Sequence, residues 1–181
     1  MKKLVWGLTV LMAFSGMATL AQAEDRPIDL ALFSPIELFP ATDSVTGLRL
    51  AIYGVKENVT GLDIGLVKVI KGDFAGVALW GGNRVGGSGK GIQASLVNYV
   101  EKDFTGAQLG ILNYSFGETT GLQAGIYNRG GNFVGLQLGL INRATKLGGG
   151  LQIGLLNFWD DATPGDFAKE RAFFPFVNWS F

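Results

Sequence analysis

The sequence predicts an all-β fold: an antiparallel outer-membrane-type β-barrel of about ten strands, with a parallel β-solenoid as the alternative. Three observations lead to this prediction. Glycine is abundant, with 28 residues in a chain of 181, and it recurs at a spacing of fourteen or fifteen residues. Apolar and polar residues alternate with period two inside each repeat, which is the pattern of a β-strand. An aromatic-rich segment of the same alternating type ends the chain.

The first element is predicted to be a signal peptide over residues 1–23. Lys2 and Lys3 precede an apolar stretch, and Ala21-Gln22-Ala23 has the form of a small-x-small cleavage site. A transmembrane anchor is the weaker interpretation, because glycine and serine interrupt a short run that ends in this motif. We therefore expect a single mature domain, residues 24–181, exported to the outer membrane or the cell surface of a Gram-negative envelope.

The composition restricts the chemistry of this domain. The chain contains no cysteine and no histidine. The absence of cysteine excludes a lipid-modified cysteine, disulfides, thiol nucleophiles and Cys-ligated metals. The absence of histidine excludes Ser-His-Asp hydrolysis and removes the commonest metal ligand. Once Lys2 and Lys3 are cleaved off, acidic residues outnumber basic ones, which disfavours nucleic acid as a partner.

Eight repeats then occupy residues 45–158. Their consensus is Gly-Leu-Gln-apolar-Gly-Leu-apolar-Asn, and two glycines in each unit disfavour a helix. The unit that begins at Gly76 departs most, since it has Ala78 in place of Gln and Gly81-Gly82 after Trp80. The repeats begin at Gly47, Gly61, Gly76, Gly91, Gly106, Gly121, Gly135 and Gly150.

The alternation gives each strand one aliphatic face and one face with a central polar residue. We expect these polar residues to form a structural belt, in which Arg49 and Asp63 pair on adjacent strands. The belt consists of Arg49, Asp63, Gln93, Gln108, Gln123, Gln137 and Gln152. The asparagines that end the units are predicted to mark turns, because Asn tolerates left-handed geometry.

Two further segments flank the repeats. Ile28 to Phe39 is predicted as a terminal strand, and Phe173 to Phe181 as a closing strand. Trp179 and Phe181, an aromatic final residue with another two places before it, resemble the C-terminal assembly signal of bacterial outer-membrane barrels. This resemblance implies outer-membrane lipid and the barrel-assembly machinery as partners.

The same repeats allow two architectures. Ten strands would make an even-numbered barrel with leucines towards lipid, the Gln belt inside, and too little space for a wide pore. A solenoid would instead stack the repeats in parallel, which suits their near-constant length. A barrel should alternate short and long connections, and this sequence does not. Pro35 and Pro175 also suit exposed edges better than a sealed seam.

The chain resembles a family of bacterial surface-repeat proteins built from Gly-Leu/Val-Gln-x-Gly-Leu-x-Asn units. The resemblance covers the opening segment 32–40, the repeats and the final segment 174–181. It implies a location at the cell surface or in the outer membrane. It carries no activity that could be assigned to particular residues.

No catalytic, cofactor or metal site is predicted. Gly86-Gly87-Ser88-Gly89-Lys90 differs from a phosphate-binding loop, because Arg84 holds the first glycine position and Gly91 follows the lysine. The acidic segment with Asp160, Asp161, Asp166 and Glu170 does not have the spacing of an EF-hand. The predicted function is therefore a structural or surface-interaction role. The alternative is a secreted solenoid that acts as an adhesin or ligand-binding surface.

Overall fold

The computed structural model describes residues 24–33, 36–160 and 173–180, which form an all-β fold. Among these residues, no helix is long and apolar enough to cross a membrane. The strands are β1 (Asp25–Phe33), β2 (Ile36–Glu37), β3 (Ser44–Lys56), β4 (Val59–Ile70), β5 (Phe74–Val85), β6 (Gly89–Val100), β7 (Phe104–Leu109), β8 (Leu112–Ser115), β9 (Glu118–Ala124), β10 (Tyr127–Leu138), β11 (Ile141–Trp159) and β12 (Phe173–Ser180).

The repeats stack in parallel as a β-solenoid. Gly47 pairs with Gly61 and Gly61 with Gly76, and the same register continues to Gly135 and Gly150. The prediction of an antiparallel barrel was therefore wrong, and the structure is the solenoid of the alternative interpretation. The physical reason is the constant repeat length. After each unit the chain reaches the equivalent position in the next coil, so equivalent residues of successive repeats stack on one another.

Each coil is flattened and consists of two strand arms joined by a sharp corner. In the fifth coil β7 is the first arm, β8 is the second, and Gly110 and Ile111 form the corner between them. A polar turn on the opposite side, which we call the turn edge, leads to the next coil. The unit with Ala78 forms a regular coil in the same register as the others.

The interior has an apolar part and a polar part. Buried Val59, Phe74, Phe104 and Phe133 lie beside the turn edge, and they belong to the apolar positions just upstream of each repeat. The belt residues lie nearer the corner. The outward positions around the corner carry the aliphatic side chains. Side chains therefore fill the interior, and the coil leaves much of its aliphatic surface outside.

The first glycine of each of the first seven repeats is required by the stacking. Gly106 has φ = 136°, and a Cβ at this position would lie 2.0 Å from the carbonyl oxygen of Gly91 in the preceding coil. From Gly61 to Gly135 these glycines are partly buried, at points where one coil touches the next.

The two ends of the solenoid are closed differently. At the amino end β1 continues the parallel stack on β3, and β2 folds back on β1. At the carboxyl end β12 pairs antiparallel with β11. Pro27 in β1 and Pro175 in β12 lack the backbone N–H that a further strand would need. Both prolines therefore oppose the addition of another chain at the ends.

Candidate functional site

A column of glutamine side chains runs through the interior. Gln123 donates from Nε2 to Oε1 of Gln108 at 2.7 Å and accepts from Nε2 of Gln137 at 2.7 Å. It also donates to the carbonyl oxygen of Arg129 at 3.0 Å, which ties the first arm to the second arm of the same coil. Asn178 in β12 completes the column by donating to Gln152 at 3.0 Å. The column therefore connects coils to one another and connects the arms within a coil.

A second column consists of the asparagines that end the repeats. Asn113 donates from Nδ2 to Oδ1 of Asn128 at 2.8 Å and to the carbonyl oxygen of Ala124 at 3.0 Å. These asparagines were predicted to turn the chain through left-handed geometry, and that reason was wrong. Among the described residues the only one other than glycine with positive φ is Phe176. The asparagines act through their buried amides, which hold the inside of the corner.

In the first coils, charged residues replace the amides of both columns. Arg49 lies 3.6 Å from Asp29 and 3.7 Å from Asp63, while Lys68 lies 3.2 Å from Asp63. Lys56 lies 3.3 Å from Asp29 and 3.5 Å from Glu37. Three cations and three anions thus form one buried chain of contacts. The chain is electrically balanced as a whole, which is the condition for burying charges at tolerable cost.

Burial dominates the ionisation of Lys68. Desolvation lowers its pKa from 10.5 to about 8, although the neighbouring Asp63 opposes the shift. Its ammonium group also lies 3.9 Å from the centre of the Phe74 ring. For the exposed Arg84 the direction is reversed, since a hydrogen bond from its guanidinium to Glu101 and the charge of Glu101 raise its pKa.

Trp80 separates the charged part of the interior from the amide part. Ala78 and Gly65 leave the space for its indole ring, since a Cβ on Gly65 would lie 2.3 Å from two ring atoms. The guanidinium of Arg49 faces the ring at 5.7 Å. The repeat that departs most from the consensus is therefore the boundary between the two kinds of interior.

All seven residues of the predicted belt lie inside the solenoid, each with 0% exposure. Sequence reasoning missed Asp29, which contacts Arg49, and Lys68, which contacts Asp63. It also missed Lys56, which contacts Asp29 and Glu37. One signal could have found Lys68, because it occupies the position at which Asn83 and the later asparagines stand. Trp179 in β12 pairs with Leu151 in β11. Phe181, Asp161, Asp166 and Glu170 lie outside the described residues.

The outer surface around the corner is aliphatic, and we call it the ridge. Four columns of outward side chains form it, and the two tyrosine hydroxyls are their only polar side-chain groups. The crest column consists of Ile52, Leu66, Gly81, Leu96, Ile111, Ile126, Leu140 and Leu155. The flanking columns are Leu48, Leu62, Val77, Ile92, Ala107, Leu122, Leu136 and Leu151; Leu50, Ile64, Leu79, Ala94, Leu109, Ala124, Leu138 and Ile153; and Tyr53, Val67, Gly82, Val97, Leu112, Tyr127, Ile141 and Leu156.

The ridge is large for an exposed apolar surface. Stacked strands and extended chain give it a length of about 34 Å, a width of about 16 Å and a footprint of about 550 Å². At its amino end it continues onto Ile28, Leu30 and Leu32 of β1, which are all exposed. There it borders a groove of about 490 Å³, whose lining includes Leu38 and Ile52. The largest apolar patch on a soluble protein is often functional, and the ridge is at the upper end of the usual range of about 300–600 Å².

No family model, curated protein or solved structure matches this chain.

The rim of the ridge on the second arm is aromatic and cationic. The rings of Tyr114 and Tyr127 lie 5.4 Å apart, and the guanidinium of Arg129 lies 4.9 Å from the Phe116 ring. The column next to the ridge contains Val55, Val69, Arg84, Tyr99, Tyr114, Arg129 and Arg143, with no acidic residue. The acidic residues lie beyond it at the turn edge, among them Asp73, Glu101, Asp103 and Glu118.

Among the residues that the structure describes, no group of three or more Asp, Glu, His or Cys side chains could hold a metal ion. The carboxylates at the turn edge are used within the solenoid: Asp103 accepts a hydrogen bond from the backbone N–H of Glu118 at 2.7 Å. The arrangement therefore presents an apolar outer surface over an interior of stacked amides and paired charges.

Proposed function

We propose that this chain is an exported, non-catalytic protein of the bacterial cell envelope, and that the ridge is the surface through which it interacts. The observation that carries this proposal is the ridge itself, an uncharged aliphatic surface over eight coils. A role as a surface structural or interaction protein follows from such a surface better than catalysis does. The signal peptide predicted over residues 1–23 supplies the route to the envelope.

The distribution of apolar residues supports an interacting role. A soluble solenoid can place its leucines inside and its amides in water, but here the arrangement is reversed. Leu66, Leu96 and Leu155 are exposed to 60%, 58% and 53%, while the glutamines and asparagines are buried. Covering an exposed leucine contributes about 1.5–3 kcal/mol at most, so the ridge holds a large unused free energy of association.

The interior is a poor candidate for the interaction surface. Its amides are engaged with one another and with the backbone, and its charged residues are paired at the amino end. Filled by side chains, it cannot serve as a pore. The belt is therefore structural, and recognition belongs to the outside.

The test is fractionation of cells that express the full-length chain. In the ridge variant, Leu66, Leu96 and Leu140 are each replaced by Thr, which keeps β-propensity but adds a hydroxyl. In the control variant the exposed Lys71, Lys102 and Lys146 at the turn edge are each replaced by Thr. We expect the parent and the control to sediment with the envelope, and the ridge variant to be released in soluble form. Soluble, monomeric parent protein would refute the proposal.

A further inference from the structure

We infer that the partner of the ridge is a phospholipid surface, into which the crest inserts while the turn edge stays in water. This inference rests on the proposed function and specifies the partner. The solenoid would lie along the membrane without crossing it, in the manner of a monotopic protein. Its crest would run parallel to the membrane plane.

The shape of the ridge favours lipid over a second copy of the chain. Exposure is highest along the crest and lower on its flanks: Leu96 is 58% exposed, whereas Leu109 and Val97 are 39% and 36% exposed. Two convex crests touch along a narrow line, so a pair of ridges would bury far less than the ~800 Å² per partner of a stable interface. Acyl chains are fluid and fill the space around a convex wedge.

Backbone carbonyl groups at the corner have their hydrogen-bond partners within the protein. The carbonyl oxygen of Ala124 accepts from the N–H of Gly110 at 3.0 Å and from Nδ2 of Asn113 at 3.0 Å. The carbonyl oxygen of Leu138 likewise accepts from Gly125 at 2.9 Å and from Asn128 at 2.8 Å. Lipid cannot supply hydrogen bonds, so backbone groups at membrane depth need partners inside the protein.

The same arrangement recurs one coil further on. The carbonyl oxygen of Ile153 accepts from Gly139 at 3.0 Å and from Asn142 at 2.9 Å. The corner N–H groups are also used along the stack, since Ile111 donates to Leu96 and Ile126 donates to Ile111. These three carbonyl groups at the corner therefore have their hydrogen-bond partners inside the protein, as contact with lipid would require.

The rim matches the boundary of a membrane. Tyrosine and arginine are the residues that collect where the apolar layer meets the headgroups. Tyr99, Tyr114, Arg84, Arg129 and Arg143 lie directly beside the ridge, and the acidic residues of the turn edge lie beyond them. Arg84 and Arg143 are partly neutralised by Glu101 and Asp160. Apolar contact should therefore dominate binding, with a smaller contribution from anionic headgroups.

The test is flotation of the purified mature chain with phosphatidylcholine vesicles, with and without about one-third phosphatidylglycerol. We expect the parent to float with both kinds of vesicle, and more strongly with the anionic kind. The ridge variant should lose at least about 100-fold in partition coefficient. The lysine control should stay within about threefold of the parent on phosphatidylcholine.

A second measurement does not depend on the triple variant. The chain has no cysteine, so Leu96→Cys and Lys102→Cys can each carry a single environment-sensitive dye. Vesicles should shift the emission of the dye at position 96 to the blue and leave the dye at position 102 unchanged. Equal shifts at both positions, or none at either, would overturn the insertion of the crest.

Light scattering separates the two proposals. If the parent does not bind vesicles but forms a dimer that the ridge substitutions dissociate, the ridge is an interaction surface and lipid is the wrong partner. If the parent is a monomer that neither floats nor fractionates with the envelope, both proposals fail. If the parent floats with vesicles and the ridge variant floats equally well, the role of the ridge is refuted while binding to lipid is not.

Discussion

Replacing Arg49 with Leu tests the buried ionic chain. Arg49 has no solvent exposure and contacts Asp29 and Asp63 at 3.6 Å and 3.7 Å, distances too long for direct hydrogen bonds. In the variant Asp29 keeps Lys56 and Asp63 keeps Lys68, but the interior is left with one uncompensated negative charge. Removing one partner from a buried ionic group costs roughly 3 to 5 kcal/mol, and we expect a loss of that size.

The assay is urea denaturation followed by circular dichroism, with the slope of the transition compared between variants. Arg84→Leu is the matched control, since Arg84 forms an exposed, solvent-screened pair with Glu101 and its loss should shift the urea midpoint only slightly. Adding Asp29→Asn to Arg49→Leu restores electrical balance and should recover part of the stability. If Arg49→Leu destabilises no more than Arg84→Leu does, the belt is not buried as described.

Three further predictions concern the interior and the stacking. Gln123→Met leaves Gln108 and Gln137 without their amide partner and should lower the free energy of unfolding by roughly 1 to 3 kcal/mol, measured by urea denaturation. An unchanged midpoint would show that the glutamine column contributes nothing to stability. Because burial lowers the pKa of Lys68 to about 8, the folded chain binds fewer protons than the unfolded chain between about pH 8 and 10.5, so this group makes stability rise across that range. Lys68→Met should remove this rise, and identical pH profiles for the two proteins would contradict the assignment. Gly121→Ala places a methyl group 2.0 Å from the carbonyl oxygen of Gly106 and should prevent normal stacking of the coils. Gly82 has open space around it, so Gly82→Ala should change the unfolding free energy by less than about 1 kcal/mol. Equal thermal melts for both variants would show that stacking does not require glycine at position 121.

Much of the solenoid could be predicted from residue spacing. The positions of the repeats, the shared face of Gln108 and Gln123, and the pairing of Arg49 with Asp63 all follow from period-two alternation within a constant repeat. Local pattern determines which residues share a face, because side chains on a strand alternate. The same alternation groups three of the four ridge columns on one aliphatic face. The column that contains Leu112 has the opposite parity, and it joins the ridge only because the chain turns at the corner.

The direction of stacking could not be read from that pattern. Alternation is the same for a strand with parallel neighbours as for one with antiparallel neighbours, so barrel and solenoid remained open. The aromatic end of the chain, Trp179 and Phe181, favoured the wrong architecture. Its suggested role as an assembly signal stays a prediction, since Phe181 lies outside the described residues.

The sequence by itself determined the repeat, its strand character and the segregation of amides from leucines. Only the tertiary structure decided that Asn113 turns inward to hold a corner, that Trp80 divides the interior, and that Lys56 and Lys68 join the ionic chain. These features depend on contacts between residues of different coils or on opposite arms. Such contacts follow from how one coil lies on the next, and a linear pattern of apolar and polar residues does not contain that information.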